Sequence, residues 1–497
     1  MNRKTARKPL PPVSIPSPPA TDADEPLTPA GRMFLQPELD TVIHCAIGVQ
    51  NPLDVDAIKE IIRNSLLLKH PRFSSVLVRD EHGRERWRRT EVEIDRHVFA
   101  VDAAERRRRR AAAGDSDEGG CAERKVNDYI AGLSAGEPLR SDKPLWEIHL
   151  LTEERCAVLR IHHALGDGIS LMSMLLADCR KSDNPDAIPT LPAAESGRRR
   201  RRRSWVATAA ELVMMVVYSL VYCLEFTLRV LCVGDRRTGI SGGAGTELWP
   251  RKLATAKFSI EDMKTVKSAV ANATINDVLF GVIASGLSRY LDHRTPNALK
   301  EGQQITGMAM VNLRPQSGLQ ELSDMMKSNS AAKWGNRFGI LVLPVFYHSH
   351  HSEEGSNSNP LDFVKRAKKM IDRKKKSLEA HFSYKLCNIV MSTLGPKFAC
   401  KCNYDIICNT SFTISNVLGP KEEITIAGNP VTFLRVNTSS IPHALTMHMV
   451  SYAGRADMQI LVAKDVIPDP EFLAKCFEDS LMEMKTAAEK AAAAAAS

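Results

Sequence analysis

No Cys-x-x-Cys pair occurs among the 11 cysteines of this chain, and the one close cluster, Cys400-Lys401-Cys402 with Cys408, lacks the fourth ligand of a tetrahedral zinc site. Eleven scattered thiols also make a poor disulfide framework, so they are expected to be free thiols in a reducing compartment, and no metal is expected. The N-terminus, Met1-Asn2-Arg3-Lys4, runs into prolines without the apolar core of a secretory signal. Residues 1–26 read as a disordered Pro-rich tail. The long apolar segment 205–233 is interrupted by Glu211, Glu225 and Arg229. Its uncharged core, Leu212 to Leu224, falls short of the about 20 residues that a spanning helix needs. Hydropathy alone therefore leaves a spanning helix, an interfacial helix and a buried helix all open.

At 497 residues the chain exceeds one ordinary core, and its 43% hydrophobic content is ample for burial, so two domains are expected. The net charge of +9 is concentrated in Arg106 to Arg110, Arg198 to Arg203 and a basic helix from Lys365 to Lys376. Such blocks are read as solvated tails, as nucleic-acid patches or as lipid-headgroup contacts. The apolar segment directly after Arg203 favours anionic lipid as the partner over nucleic acid. Composition places the boundaries at 27–195 for a first domain, 196–245 for an Arg-rich linker with a membrane-associating helix at 205–233, 246–485 for a second domain and 486–497 for an Ala-rich tail.

Within the first domain, Cys156 to Ile161 alternates apolar and polar residues and reads as a strand. It runs into the turn His162-His163-Ala164-Leu165-Gly166-Asp167-Gly168, and a helix follows to Asp178. A histidine at the end of a rigid strand, with one ring nitrogen hydrogen-bonded, is a competent general base near neutral pH. In the same turn Asp167 is placed to fix the backbone, and Gly168 is free to take a positive φ. The plain alternative is a histidine pair that caps a strand.

Further along, Asn276 reads as the N-cap of a helix from Asp277 to Tyr290 with one apolar stripe. An apolar strand, Gly307 to Leu313, ends in Arg314, and Phe412 to Asn416 carries Ser415 and Asn416 inward. His443, Thr446 and His448 read as core or pocket lining.

The spacing His-His-x-x-x-Asp-Gly resembles that of the CoA-dependent acyltransferase superfamily. With Pro144-Leu145-Trp146-Glu147, Asn276-Asp277, Val311-Asn312-Leu313-Arg314-Pro315, Gly335-Asn336 and Ser415-Asn416-Val417-Leu418-Gly419-Pro420 in the same order, the chain is similar to the plant branch of the wax ester synthase/diacylglycerol acyltransferase family from about Leu27 to Ala474. Leu418 stands where that family usually has proline. The resemblance implies an α/β fold of two chloramphenicol-acetyltransferase-like domains with an active-site tunnel between them. It implies O-acyl transfer from acyl-CoA, a co-substrate with no resident cofactor, to a long-chain alcohol or diacylglycerol.

His163 is then the base, with His162 and Asp167 beside it. Arg314 is either a bidentate partner of Asp167 or a surface residue. Asn276 and Asp277 are either a cap or part of the machinery, and Ser415 or Asn416 is a candidate donor to the oxyanion. Because the family's site lies where its two halves meet, a spanning segment at 205–233 would separate them, and an interfacial helix avoids this. The expected location is the endoplasmic reticulum membrane with the active site cytosolic, the plasma membrane being the second choice.

A condensation enzyme shares the motif but normally sits beside carrier domains. Another plant acyltransferase group adds Asp-Phe-Gly-Trp-Gly, which is absent here. A membrane lipid-binding protein would be the non-enzymatic reading if the motif were broken.

Overall fold

Two sheets, each assembled from distant parts of the chain, organise the computed structural model, which describes residues 24–79, 84–102, 121–190, 205–296, 298–314, 325, 334–349, 359–439 and 441–496. The runs Arg106 to Arg110 and Arg198 to Arg203 and the tail before residue 24 lie outside the described residues. The strands are β1 (Glu25–Pro26), β2 (Val42–Val49), β3 (Ser75–Arg79), β4 (Glu85–Arg89), β5 (Val98–Ala100), β6 (Trp146–Leu151), β7 (Cys156–His162) and β8 (Cys179–Lys181). After the apolar helix come β9 (Arg251–Ser259), β10 (Gln304–Asn312), β11 (Phe338–Phe346), β12 (Phe412–Leu418), β13 (Ile424–Ile426), β14 (Asn429–Thr438), β15 (Leu445–Tyr452) and β16 (Arg455–Ala463).

A seven-stranded sheet has the order β5-β6-β7-β2-β14-β13-β8, a six-stranded sheet the order β11-β10-β12-β15-β16-β9, and β1-β4-β3 form a small third sheet. The division expected at residue 246 separates chain segments but not sheets. Between β12 and β15 of the six-stranded sheet, the chain leaves to add β13 and β14 to the seven-stranded one, with Leu434 opposite Ile47 and Thr438 opposite Ile43. The two halves are thereby stitched together beside the end of β7.

The free edge of β11 shows how such a sheet is finished. The N–H groups of Ile340 and Val342 donate to Ser383 Oγ (2.8 Å) and Glu379 Oε1 (2.9 Å) of the helix Glu379–Thr393. The next residue in the alternation is Pro344, which has no N–H to satisfy.

Several expectations change. The tail expected to Pro26 ends earlier, because Glu25–Pro26 pairs with β4. Asp24 and Glu25 are drawn there by Arg88 (2.9 Å) and Arg72 (3.0 Å). The helix expected from Asp277 instead runs Ile275–Arg294, capped by Thr274 and not by Asn276. Thr274 and Asp277 close a capping box, in which the Asp277 carboxylate accepts from the Thr274 N–H at 2.6 Å. The C-terminal helix Pro470–Ala496 continues through most of the Ala-rich tail, alanine being the best helix former.

The apolar segment is a helix, Trp205–Leu231. Its part Ala209–Leu231 is long and apolar enough to cross a membrane by length and composition. It nevertheless packs against the helical hairpin Glu379–Thr393 and Gly395–Cys408.

Candidate active site

β7 ends at His162, and the turn is closed by the Leu165 N–H donating to the His162 carbonyl (3.0 Å). His163 is held from both sides, since its own N–H donates to Thr41 O (2.9 Å) and its carbonyl accepts from Asn336 Nδ2 (2.8 Å). That second bond fixes the Asn336 amide, so the oxygen is the atom facing His163 Nδ1, at 2.9 Å. Nδ1 must then carry the proton, which leaves the Nε2 lone pair as the acceptor.

The His163 ring is stacked on Phe34, with centroids 4.2 Å apart, and Phe338 lies at 6.0 Å. Loss of water around the ring pushes its pKa down to about 4, opposed by the Asp167 carboxylate and the Asn336 bond. The half-buried imidazole is therefore neutral at pH 7 and ready to accept a proton.

His162 is placed differently. Its Nδ1 accepts from Ala164 N–H (3.1 Å) and its Nε2 bonds Asp40 Oδ1 (2.9 Å), in a position only 1% exposed. Both ring nitrogens are occupied, so His162 fastens the turn to the loop before β2 and has no free nitrogen for proton transfer.

Arg314 and Asp167 meet in a bidentate pair, Nη1 to Oδ2 at 2.8 Å and Nη2 to Oδ1 at 3.2 Å, with the Arg314 side chain fully buried. Around them Asp167 Oδ1 caps the helix Gly168–Asp178 by accepting from Ser170 N–H (2.9 Å), and Oδ2 accepts from Arg337 N–H (3.0 Å). Arg314 Nη2 also donates to Ser170 Oγ (3.0 Å) and to Gly335 O (2.7 Å). Gly335 takes φ +111°, a conformation that favours glycine, and this directs its carbonyl to Arg314 and its N–H to Ser170. The cluster locks the motif turn of the seven-stranded sheet to β10 and β11 of the six-stranded one.

Gly168 does not adopt a positive φ. It is the first residue of the helix, and a Cβ there would meet only Val417 Cγ2 at 3.4 Å. Val417 thus brings β12 against the start of the motif helix. Just before it, Asn416 Nδ2 donates to Asn276 Oδ1 (2.8 Å), so Asn276 reaches Asn416 and not His163. Asp277 is buried in its capping box. Ser415 lies opposite His448 in the β12–β15 register.

Sequence reasoning gave no role to Asp40, Phe34, Ser170 or Trp334, whose Nε1 donates to Leu165 O (2.8 Å), and it quoted Asn336 only as part of a motif. Nothing local marks Phe34 or Asp40, while the Gly335-Asn336 pair could have been found from its motif alone.

Two family models match the chain, the wax ester synthase/diacylglycerol acyltransferase catalytic domain over residues 46–279 and the WS/DGAT C-terminal domain over 334–485. Wax ester synthase/diacylglycerol acyltransferase 11 of Arabidopsis thaliana is 35% identical, over 94% of this chain and 96% of its own length. Among solved structures, the wax ester synthase/diacylglycerol acyltransferase from Marinobacter aquaeolei VT8 aligns with a TM-score of 0.56 at 18% identity, covering 94% of this chain and all of that one. A trichothecene 15-O-acetyltransferase from Fusarium sporotrichioides aligns with a TM-score of 0.55 at 14% identity, covering 95% and 99%. At such identities the two structures speak for the fold, which is the two-sheet acyltransferase architecture.

Proposed function

This chain belongs to the wax ester synthase/diacylglycerol acyltransferase family and is an acyltransferase, and from that premise we propose that it moves a fatty acyl group from acyl-CoA to the hydroxyl of a long-chain alcohol or of diacylglycerol. The observation that carries this reading is the Nε2 of His163, which has no hydrogen-bond partner among the described residues and stands in an apolar surround, its proton held on Nδ1 by Asn336. As the acceptor oxygen bonds to the thioester carbonyl carbon, its proton passes to Nε2. The tetrahedral adduct then expels the CoA thiolate, which takes that proton back and leaves as the thiol. No covalent acyl-enzyme is needed, because the bound alcohol is itself the nucleophile. The transient imidazolium is met by the negative charge of Asp167, which already favours the charged ring. Ser415 or Asn416 would donate to the oxyanion, worth about 10²- to 10³-fold in other systems. Asn276 is a positioning residue for Asn416.

Because the active form of His163 is neutral and its pKa lies near 4, kcat/KM should be level from about pH 6 upward. It should fall about tenfold per unit only below about pH 4. A decline beginning near 6.5 would mark an ordinary solvated histidine and contradict the desolvated site.

The reading includes a membrane surface with anionic lipids, and it favours a helix Trp205–Leu231 that lies on the bilayer. Along that helix Leu378 N–H donates to Ser219 Oγ (3.0 Å), Glu225 approaches Lys374 (3.5 Å), and Arg229 pairs with Asp235 (3.0 Å) and donates to Asn409 O (3.2 Å). A transmembrane course would drag these charged partners into hydrocarbon or break them. An endoplasmic reticulum location with a cytosolic site, where acyl-CoA is available, follows from the same reading. The test is to give the purified protein labelled palmitoyl-CoA with hexadecanol or diacylglycerol and resolve the products by thin-layer chromatography. Labelled wax ester or triacylglycerol is expected, and neither product forming would overturn the proposal.

A further inference from the structure

We propose that the turn of the hairpin Glu379–Thr393 and Gly395–Cys408 is a second membrane contact, which holds an apolar path to His163 against an anionic phospholipid leaflet. The lipid acceptor then passes from bilayer to base without crossing water. This inference rests on the acyl-transfer reading above and adds the surface and the route.

At the turn, Ile389, Leu394 and Phe398 are 58%, 60% and 46% exposed. Large apolar side chains clustered on a surface mark a membrane or protein contact, whereas single ones need no explanation. Behind them Val390, Met391, Ala399 and Cys400 belong to one apolar cluster with Met33, Phe34 and Phe338. Phe34 is the ring stacked on His163. The same cluster reaches Phe226 and Val230 on the inner face of the helix Trp205–Leu231, whose Leu220, Leu224 and Leu231 are exposed on the other side. The two exposed apolar surfaces are thus outer sides of a single cluster whose inner end is the proposed base.

Charge selects the occupant. Exposed Lys385 stands four residues before Ile389 on one helical face, and exposed Lys397 directly precedes Phe398, whereas Lys401 is paired with Asp405 at 2.7 Å. Lysines around an apolar tip suit anionic headgroups over an acyl layer. A second copy of the chain would bring the same lysines against each other.

The test uses the full chain, with flotation on phosphatidylcholine vesicles with and without phosphatidylserine. The double variant Leu394→Asp/Phe398→Asp should lose about tenfold in vesicle binding and a similar factor in ester formation from hexadecanol held in vesicles. Its ester formation from detergent-dispersed decanol should stay within about twofold, which also reports that it is folded. Lys385→Glu/Lys397→Glu, with the apolar tip intact, should lose only the phosphatidylserine-dependent part of binding. Undiminished flotation of the tip variant would overturn the inference. So would light scattering that shows a wild-type dimer turned monomeric by the tip substitutions with vesicle binding unchanged. Absence of ester from wild type in detergent would count against the acyl-transfer reading alone, since flotation reads the membrane contact independently.

Discussion

Replacing His163 with alanine is expected to lower ester formation by about 10²- to 10⁴-fold while the protein stays folded. The magnitude follows from the loss of the one ring nitrogen that the surrounding hydrogen bonds leave ready to accept. His162 cannot take over, because Ala164 N–H and Asp40 occupy its two nitrogens. Asn336 would lose its partner at Oδ1 but keep its bond to the backbone carbonyl of residue 163, so the turn should retain its path. Turnover above about a tenth of wild type would sink the assignment, since even the lower end of general-base contributions predicts a larger loss. His162→Ala is a useful contrast. It strands the buried Asp40 carboxylate and should show mainly as lost stability.

Breaking the Asp167–Arg314 pair should have the largest effect on stability. Asp167→Ala removes the carboxylate that holds the buried Arg314 guanidinium through two hydrogen bonds, and breaking such a buried pair costs about 3–5 kcal/mol. It also removes the cap on the helix Gly168–Asp178, worth about 1 kcal/mol. Arg314→Ala strands the carboxylate and frees Ser170 and Gly335 O from a shared donor. Since each single variant loses the same two hydrogen bonds and the same charge attraction, the double variant should be destabilised by less than the sum. Denaturant melts of all four proteins check this. Additivity within about 0.5 kcal/mol would mean that the pair is not coupled in solution.

What could be read in the chain beforehand divides along a physical line. The motif turn, the strand before it and the helix after it are local, and β7 and the helix Gly168–Asp178 stand where alternation and turn chemistry put them. The Thr274 cap was also legible, since Thr274-Ile275-Asn276-Asp277 spells a capping box, but the more usual capping preference for asparagine drew attention to Asn276. The partners of the two histidines were not legible. Asn336 lies 173 positions from His163 and Asp40 lies 122 from His162, and no periodicity reports a contact at such separation. Nor does composition reveal that β13 and β14 leave their chain neighbours for the other sheet, because the three residues of Ile424–Ile426 carry almost no pattern of their own. Hydropathy found the apolar helix but could not see Lys374 and Asp235 waiting for its charges.

The central claim is direct transfer to a lipid alcohol with His163 as the base, and it is tested most directly by following CoA release and labelled ester together in one reaction of palmitoyl-CoA. With hexadecanol or diacylglycerol present, wild type should release one CoA per ester formed. Without acceptor it should release none and hold no label on the protein, and His163→Ala should be silent in both. Label on the precipitated protein, CoA release that does not need the acceptor, or equal ester formation by wild type and His163→Ala would contradict it.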